Sequence, residues 1–380
     1  MSAGGAAALG TSRPRDHVMC ENAAMAPPVP LFEFVCHGSI SSLEIPLAMS
    51  TLAMERLAEA CDSGEAYTTH HFFIRGRWRT VSIPVANLAR IQARINSLLF
   101  PLDLALRNEV NGFVSRKSTR TNALPHVGAT FLQKFDIADF FANIDTEQVD
   151  ASLRRAGFGD AAAAMLSRLT SCNGQVPLGA RTSPRISNLV LMSFDDTMAS
   201  LAARKGIVYS RYADDVSFSS TTKDFDVHHD VAEELAKHGF ALNPSKTKKF
   251  RHGQPMFVTG LAVSDVSYPR LRKRLKSQLR REFYYIEKHG IEGHATAVGQ
   301  SPHRVARRLL GQFHYARSIE PAFTSKLETS YPKSFGELIP QRGDDRIERA
   351  QRHRTEFLRE VARAPVKNLP FYRPEYPLPD

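Results

Sequence analysis

Residues Tyr212-Ala213-Asp214-Asp215 decide the fold, because they place two carboxylates side by side between two short runs of β-forming sequence. In the run 216–220, apolar residues alternate with serines, and a period of two is typical of a half-buried strand. The run 207–211 precedes the four residues, so the pattern predicts a hairpin with the acids at its tip. Adjacent carboxylates repel each other unless they share a cation such as Mg²⁺. Taken alone, the stretch is equally compatible with a solvated surface turn.

A second acidic strand is predicted upstream. Residues 131–135 are mostly apolar and β-prone, and Asp136 follows where such a strand ends. Carboxylates at the ends of neighbouring strands can converge on a pair of metal ions, an arrangement that serves nucleotidyl transfer. Between the two acidic elements, a loop rich in Pro and Gly (175–184) runs into a helix predicted over 185–205. A loop followed by a helix start suits the binding of a phosphate-bearing substrate.

This order of elements resembles the palm of reverse transcriptases. The first catalytic block of that family is similar to Phe135-Asp136-Ile137 with Phe140-Phe141. The second block is similar to residues 177–184 with Ser187-Asn188, and the polymerase tetrapeptide is similar to residues 212–215. Two other segments resemble signatures of bacterial retron reverse transcriptases: Asn122-Ala123-Leu124-Pro125-His126 and Val258-Thr259-Gly260-Leu261. We therefore interpret the chain as retron-like. One departure is Leu178, where the family usually has Gln, and it predicts altered fidelity in an active enzyme.

The resemblance implies an α+β fold shaped as a right hand, with fingers, a palm that contains an antiparallel sheet and helices, and a helical thumb. The implied regions are a disordered leader (1–30), an N-terminal region with the fingers (31–130), a palm (131–265, with a finger insertion at about 146–174), a basic thumb (266–330) and a C-terminal extension (331–380). Within the second region, the sequence predicts an amphipathic helix over 42–61, a hairpin over 72–81 that turns at Gly76, and a helix over 88–100.

The resemblance also implies the roles of the acidic residues. Asp136 and Asp214 would bridge two Mg²⁺ ions, Asp215 would support them, and the backbone carbonyl of Ile137 would complete the coordination. A primer hydroxyl would attack the α-phosphate of a deoxynucleoside triphosphate, and pyrophosphate would leave.

Other residues are expected to bind the nucleotide. Arg79 would meet the triphosphate, and its position in the sequence favours this role over the alternative of a surface arginine on an exposed strand. Phe141 would exclude a ribose 2′-hydroxyl, and Pro177 and Gly179 would shape the pocket. Lys246 would charge-stabilise the leaving pyrophosphate, and a solvated lysine is an equally good alternative.

Asn122 and His126 become candidates for RNA recognition, or for shaping their region, through the resemblance alone. A lone histidine is more often a structural residue than a ligand.

Most of the excess positive charge lies in one segment. The formal charge is +11, and residues 266–317 contain twelve Lys or Arg against three Glu. Apolar residues recur there at helical spacing, which predicts a basic helix with one buried stripe: Leu271, Leu275, Leu279, Phe283 and Ile286. We expect this helix to follow a nucleic-acid backbone, with Arg270, Arg274 and Arg281 as contacts, and a merely solvated face is the alternative.

The resemblance implies partners as well: a cognate structured non-coding RNA, the RNA–DNA hybrid made from it, deoxynucleoside triphosphates and a separate effector protein. Synthesis would start from a 2′-hydroxyl, give branched RNA–DNA and serve defence against phage. Two alternatives are another bacterial reverse transcriptase (group II intron-like or abortive-infection type) and a non-catalytic RNA-binding scaffold. The four cysteines form no close pairs and no apolar run is long enough to cross a bilayer, so we expect a cytoplasmic protein without a membrane partner.

Overall fold

The structure, a computed structural model, describes residues 39–74 and 76–338 of the chain. The predicted leader and residues 339–380 of the predicted C-terminal extension lie outside the described residues.

The N-terminal part combines helices with a hairpin. A 3₁₀ turn at Ile40–Leu43 is followed by helices α1 (Glu44–Leu47) and α2 (Thr51–Asp62). The prediction of one helix over 42–61 is wrong, because Ala48 adopts a left-handed conformation with φ of 44° between α1 and α2.

The predicted hairpin is confirmed and is longer than expected. Strands β1 (Tyr67–Ile74) and β2 (Arg77–Pro84) pair antiparallel. Gly76 lies in the turn with φ of 80°, a conformation that glycine adopts without strain. Helix α3 (Ala86–Leu99) follows and buries Ile91, Ile95 and Leu98, as its spacing predicts.

The central part contains the main sheet and its helices. In chain order the elements are α4 (Thr119–Ala123), β3 (Phe131–Asp136), α5 (Thr146–Arg155), α6 (Asp160–Leu169), α7 (Ser183–Val190), α8 (Met192–Lys205), β4 (Val208–Tyr212), β5 (Asp215–Ser220), α9 (His228–Lys237), β6 (Lys248–Arg251), β7 (Phe257–Val258) and β8 (Leu261–Ala262). The single helix predicted over 185–205 is divided into α7 and α8 at Leu191.

Four antiparallel strands form this sheet in the order β4-β5-β3-β6. The acidic hairpin is confirmed: β4 and β5 are joined by a two-residue turn of Ala213 and Asp214, with Tyr212 opposite Asp215. The first acidic strand lies beside it, because β3 pairs with β5 along its whole length. The fold thus brings the two predicted acidic elements together.

The C-terminal helices pack over the other side of the sheet. They are α10 (Lys273–Ala297), α11 (Pro302–Ile319) and α12 (Pro321–Ser330), and α10 bends at Gly290. The predicted apolar stripe is confirmed for Leu279, Phe283 and Ile286, which are fully buried. Leu271 is buried but lies before the helix, and Leu275 is only half-buried. Their core also takes in Leu132 of β3, whereas Phe135 on the same strand belongs to the core of the central helices. No helix in the described ranges is long and apolar enough to span a membrane.

Candidate active site

Three carboxylates meet at one end of the main sheet. Asp136, the last residue of β3, lies in register opposite Asp215, the first residue of β5. Directly opposed residues of an antiparallel pair project from the same face. Asp214 occupies the turn next to them, and its carbonyl accepts a hydrogen bond of 3.1 Å from the backbone N–H of Ile137. Segments almost eighty residues apart in sequence therefore contribute to one acidic cluster, which we call the acidic tip (Asp136, Asp214 and Asp215).

The turn that carries the acidic tip packs against the segment that contains Gly112. Ala213 has φ of 57°, an unusual value for a residue with a side chain. Gly112 lies so close that a Cβ atom there would be 2.2 Å from the backbone nitrogen of Ala213. Asn188 donates from Nδ2 to the Gly112 carbonyl at 2.9 Å, which ties this segment to α7.

A buried ion pair supports the same turn. Arg211 is fully buried and donates to both carboxylate oxygens of Asp195, at 2.7 and 2.6 Å. Its guanidinium also donates to the carbonyl of Ala213 at 3.1 Å. Tyr209 donates its hydroxyl to Asp195 at 2.6 Å. Sequence reasoning missed this network, and the signal for it was a charged residue inside a strand immediately before the tetrapeptide.

Two lysines lie against the acidic tip. The ammonium of Lys246 is 2.8 Å from each carboxylate oxygen of Asp136, and that of Lys134 is 2.9 Å from Asp215. Lys246 stands in the loop before β6, and it is 42% exposed. Lys246, which the sequence predicts to bind the nucleotide, thus forms an ion pair with Asp136 in this structure.

The acids are not fully neutralised by these lysines. Burial raises the pKa of Asp214, and the charge of Asp136 raises it further. Burial also raises the pKa of Asp215 in spite of the neighbouring Lys134. Three carboxylates face two ammonium groups, so the ionised cluster carries excess negative charge.

This donor set fits Mg²⁺, which prefers carboxylate oxygens. Asp136 and Asp215 are turned toward the two lysines. Among residues 39–74 and 76–338, there is no group of three or more His, Cys, Asp or Glu side chains that is already arranged to hold a metal ion. Side-chain rotation and displacement of Lys246 would be needed for the carboxylates to hold ions together.

The predicted pocket loop contacts the hairpin that carries Arg79. Ser82 on β2 donates its backbone N–H to the carbonyl of Leu178 at 2.8 Å. A Cβ atom on Gly179 would lie 2.8 Å from the Ser82 carbonyl, and φ of 120° at Gly179 is also a glycine conformation. Arg79 is half-buried, and its Nε has no partner among the described residues.

Two more residues of the predicted pocket have defined contacts. Pro177 accepts a 2.6 Å hydrogen bond from the Ser183 hydroxyl at the start of α7. Phe141 lies in a 3₁₀ turn directly after β3, half-buried, with its ring 6.2 Å from that of Phe113. Phe140 is buried in the core.

Asn122 and His126 lie in the core. His126 is fully buried between two serine hydroxyls, with Nδ1 2.6 Å from Ser219 and Nε2 2.8 Å from Ser210. Burial lowers its pKa to about 3, so the ring is neutral at pH 7. Asn122 is also fully buried. Direct RNA contact is thus a wrong expectation for this conformation, and the alternative, a role in shaping the region, agrees with it.

The three predicted arginine contacts differ from one another. Arg270 is bound to Asp265 at 2.9 Å and covers the ring of Tyr268 at 3.7 Å, so its charge serves an internal contact. Arg274 and Arg281 are exposed on α10 and make no ion pair within the described residues. They are seven residues apart, which places them on one face of the helix.

Comparison with known proteins identifies the class. The profile of the family "Reverse transcriptase (RNA-dependent DNA polymerase)" matches residues 68–277, more than half of the chain. The chain belongs to the reverse transcriptase family, which also confirms the predicted α+β right-hand fold class.

Several sequence relatives are retron reverse transcriptases, the type that the sequence predicts. The chain is 31% identical over 263 residues to the Retron Mx65 reverse transcriptase of Myxococcus xanthus, covering 61% of this chain and 61% of that protein. It is 30% identical over 239 residues to the Retron Mx162 reverse transcriptase of the same organism, covering 54% of this chain and 49% of that protein. The matches therefore span about half to three fifths of these relatives. A solved telomerase of Candida tropicalis has a TM-score of 0.42 at 12% identity, covering 72% of this chain and 61% of that chain.

Proposed function

We propose that this chain is an RNA-directed DNA polymerase that extends a primer with deoxynucleotides at the acidic tip. The observation that carries the proposal is the register of the main sheet, which sets Asp136 opposite Asp215 beside Asp214. Raised pKa values at Asp214 and Asp215 support it, because a crowded, incompletely neutralised acid pair favours cation binding.

Asp136, Asp214 and Asp215 would hold two Mg²⁺ ions, with the carbonyl of Ile137 as a further oxygen ligand. When bound, such ions supply Lewis-acid activation of the attacking hydroxyl and neutralise charge on the leaving pyrophosphate. The chain's own contribution is position: the clamped turn fixes the backbone that carries two of the carboxylates before any substrate arrives, so only side chains have to reorient.

Lys246 has two successive roles in this proposal. Without ions its ammonium neutralises Asp136. Its exposed side chain can swing away when a cation takes that place, and the ammonium is then free to meet the triphosphate or the leaving pyrophosphate. On the other side of the site, Arg79 would bind the triphosphate, Phe141 would contact the sugar, and the loop of Pro177 and Gly179 would border the nucleotide.

The template–primer duplex would lie along α10. Arg274 and Arg281 support this placement, since both are exposed on one face and no acidic residue neutralises either of them within the described chain.

Primer extension tests the central proposal. The protein is incubated with an annealed DNA primer on an RNA template, Mg²⁺ and deoxynucleotides. We expect extension by the parent and by Asp224→Asn, a surface acid just after β5, and none by Asp214→Ala. An inactive parent that still binds RNA, or an active Asp214→Ala, contradicts the proposal and favours the non-catalytic scaffold.

The retron-specific part of the proposal is that a cognate structured RNA serves as template, that a 2′-hydroxyl primes synthesis, and that the product serves phage defence together with a separate effector. The retron names of the relatives support it. Its test is the isolation of a branched RNA–DNA molecule from cells that express the gene with its flanking DNA. An active polymerase that yields only linear cDNA there favours a group II intron-like or abortive-infection enzyme.

A further inference from the structure

The tip of the β1–β2 hairpin carries two exposed aromatic rings to which the proposed chemistry gives no role. Phe73 and Trp78 face each other across the strands, with ring centroids 5.4 Å apart and planes at 60°. Phe73 is 62% and Trp78 71% exposed. We call these two residues the fingertip pair. Large rings normally bury about 150–250 Å² each, so a pair left in solvent indicates a surface that another molecule covers.

The hairpin has two faces with different surroundings. Neighbouring residues of a strand project to opposite faces, so Arg79 lies on one face and the fingertip pair on the other. The Arg79 face is the one that meets the pocket loop, because Val81 of that face contacts the position of Gly179. The opposite face starts at Tyr67, which is buried, and extends beyond the core toward the tip.

The charge of the hairpin restricts what can cover the fingertip pair. Residues 67–84 contain three arginines and no Asp or Glu. A ligand that combines flat apolar surfaces with negative charge satisfies both features. Unpaired nucleotides have this chemistry, because their bases can stack on aromatic rings, and a hairpin with a positive net charge and no acidic side chain does not repel their phosphates. A duplex offers phosphates but keeps its base faces hidden.

We infer that the fingertip pair is a stacking platform for unpaired bases of the RNA template on their way to the acidic tip. The inference rests on the proposed function and specifies how that site receives its template. A protein partner on the same rings is the competing occupant, and it would need apolar area without a requirement for aromatic stacking.

Trp78 supplies a direct measurement, because it is the single tryptophan of the chain. The full-length protein is titrated with a short single-stranded oligoadenylate RNA in the absence of Mg²⁺ and deoxynucleotides. We expect the tryptophan fluorescence to be quenched and to be protected from acrylamide, and a blunt RNA duplex of equal length to leave it unchanged. Unchanged fluorescence with the single strand, or equal quenching by the duplex, overturns the inference.

Two substitutions at one position separate stacking from mere apolar contact. Trp78→Phe keeps an aromatic ring, whereas Trp78→Leu keeps apolar surface without one. With a labelled oligoadenylate followed by anisotropy, we expect Trp78→Leu to bind roughly tenfold more weakly and Trp78→Phe to stay near the parent. Equal affinities for all three proteins point to a protein-docking surface and overturn the inference. Both variants should unfold at the parent's temperature, because the ring is exposed.

These measurements involve no bond formation. A chain that binds through Trp78 but fails to extend a primer contradicts the proposed polymerase alone. A chain that extends a primer with Trp78 unaffected contradicts the fingertip proposal alone.

Discussion

Two sets of acids in this molecule have opposite electrostatic states. At the acidic tip, burial raises the pKa of Asp214 and of Asp215. In the C-terminal helices, Glu282 is also withdrawn from solvent, yet its pKa falls from 4.5 to about 2. Burial opposes this fall, but bonds from Arg308 at 2.8 and 2.6 Å and from Gln278 at 3.0 Å outweigh it.

The difference separates an acid whose charge is compensated inside the fold from acids whose charge the fold leaves partly uncompensated. Both carboxylate oxygens of Glu282 accept hydrogen bonds inside the protein, and Nε2 of His294 lies 3.3 Å from its Oε2. The acidic tip keeps a charge that the protein does not cancel. Perturbed carboxylates of the second kind are concentrated at functional sites, whereas the first kind belongs to structural networks.

The largest expected effect is that of Asp214→Asn. Primer extension should fall to background, because a neutral amide cannot hold a cation as a carboxylate does. Without metal the variant should unfold at a higher temperature than the parent, since the substitution removes a charge that the folded state disfavours. Activity is measured by gel extension and stability by thermal unfolding in EDTA. A variant that is both inactive and less stable would break the comparison.

Glu282→Gln should have the reverse effect on stability. The substitution leaves the half-buried Arg308 without its counter-charge, so the free energy of unfolding should fall by about 2 kcal/mol, as for a lost hydrogen bond to a charged group. Urea unfolding measures the loss. The Mg²⁺-dependent rise in unfolding temperature should be unchanged, because Glu282 belongs to the C-terminal helices. If that rise disappears too, the two regions are not independent.

Acid should sharpen the contrast further. The folded pKa of Glu282 is depressed, so its stabilising contribution is complete above pH 4.5 and is lost as the pH falls toward about 2. Asp214 has a raised pKa, so its unfavourable contribution is relieved as the pH falls through that value. Unfolding is followed in EDTA from neutral pH into the acid range. The deficit of Glu282→Gln should shrink between pH 4.5 and about 2, whereas the gain of Asp214→Asn should start to shrink at its raised pKa and be gone below the ordinary value of 3.8.

Arginines allow the same comparison between paired and unpaired charge. Arg274→Glu and Arg281→Glu should weaken RNA binding and reduce its salt slope by about one for each phosphate that the protein no longer neutralises. Arg270→Glu should mainly destabilise the protein, because Arg270 is committed to Asp265. Filter binding across a salt series, together with thermal unfolding, distinguishes the two outcomes. Unchanged RNA binding in the first two variants would make the basic face of α10 a solvated surface.

The smallest effect is expected for Lys246→Met in the absence of substrate. Removing the ammonium from Asp136 should strengthen Mg²⁺ binding by up to about fivefold, as for a partly exposed ion pair. The measurement is the Mg²⁺ concentration at which the unfolding temperature shifts. Lys249→Met is the matched control, since Lys249 pairs with Asp224, a surface acid outside the acidic tip. Weaker Mg²⁺ binding in Lys246→Met would contradict a competition between lysine and metal.

Much of the site could be predicted because its signals are local. Alternation before and after residues 212–215 defines the hairpin, and the β-prone run before Asp136 defines its neighbour. The buried stripe of α10 follows from helical spacing in the same way. Each of these patterns lies within a single element, where side-chain periodicity determines which face is buried.

What could not be predicted depends on contacts between distant segments. His126 is buried because serines of β4 and β5 surround it, Arg270 is neutralised by Asp265, and Lys246 reaches Asp136 across 110 positions. The buried pair of Arg211 and Asp195 joins a strand to a helix. The break at Ala48 was missed for a different reason. Apolar residues keep their helical spacing on both sides of Ala48, although its backbone leaves the helical conformation.

Gly112 has a consequence for how the acids respond to their ligands. Because Gly112 has no side chain, its backbone packs directly against the backbone of Ala213. Arg211 holds the same turn through a hydrogen bond to the Ala213 carbonyl. The backbone of a turn that is held on two sides cannot shift when a ligand binds. Any movement of these carboxylates must therefore come from side-chain torsions alone, because most of the entropy of ordering this corner is already lost when the chain folds.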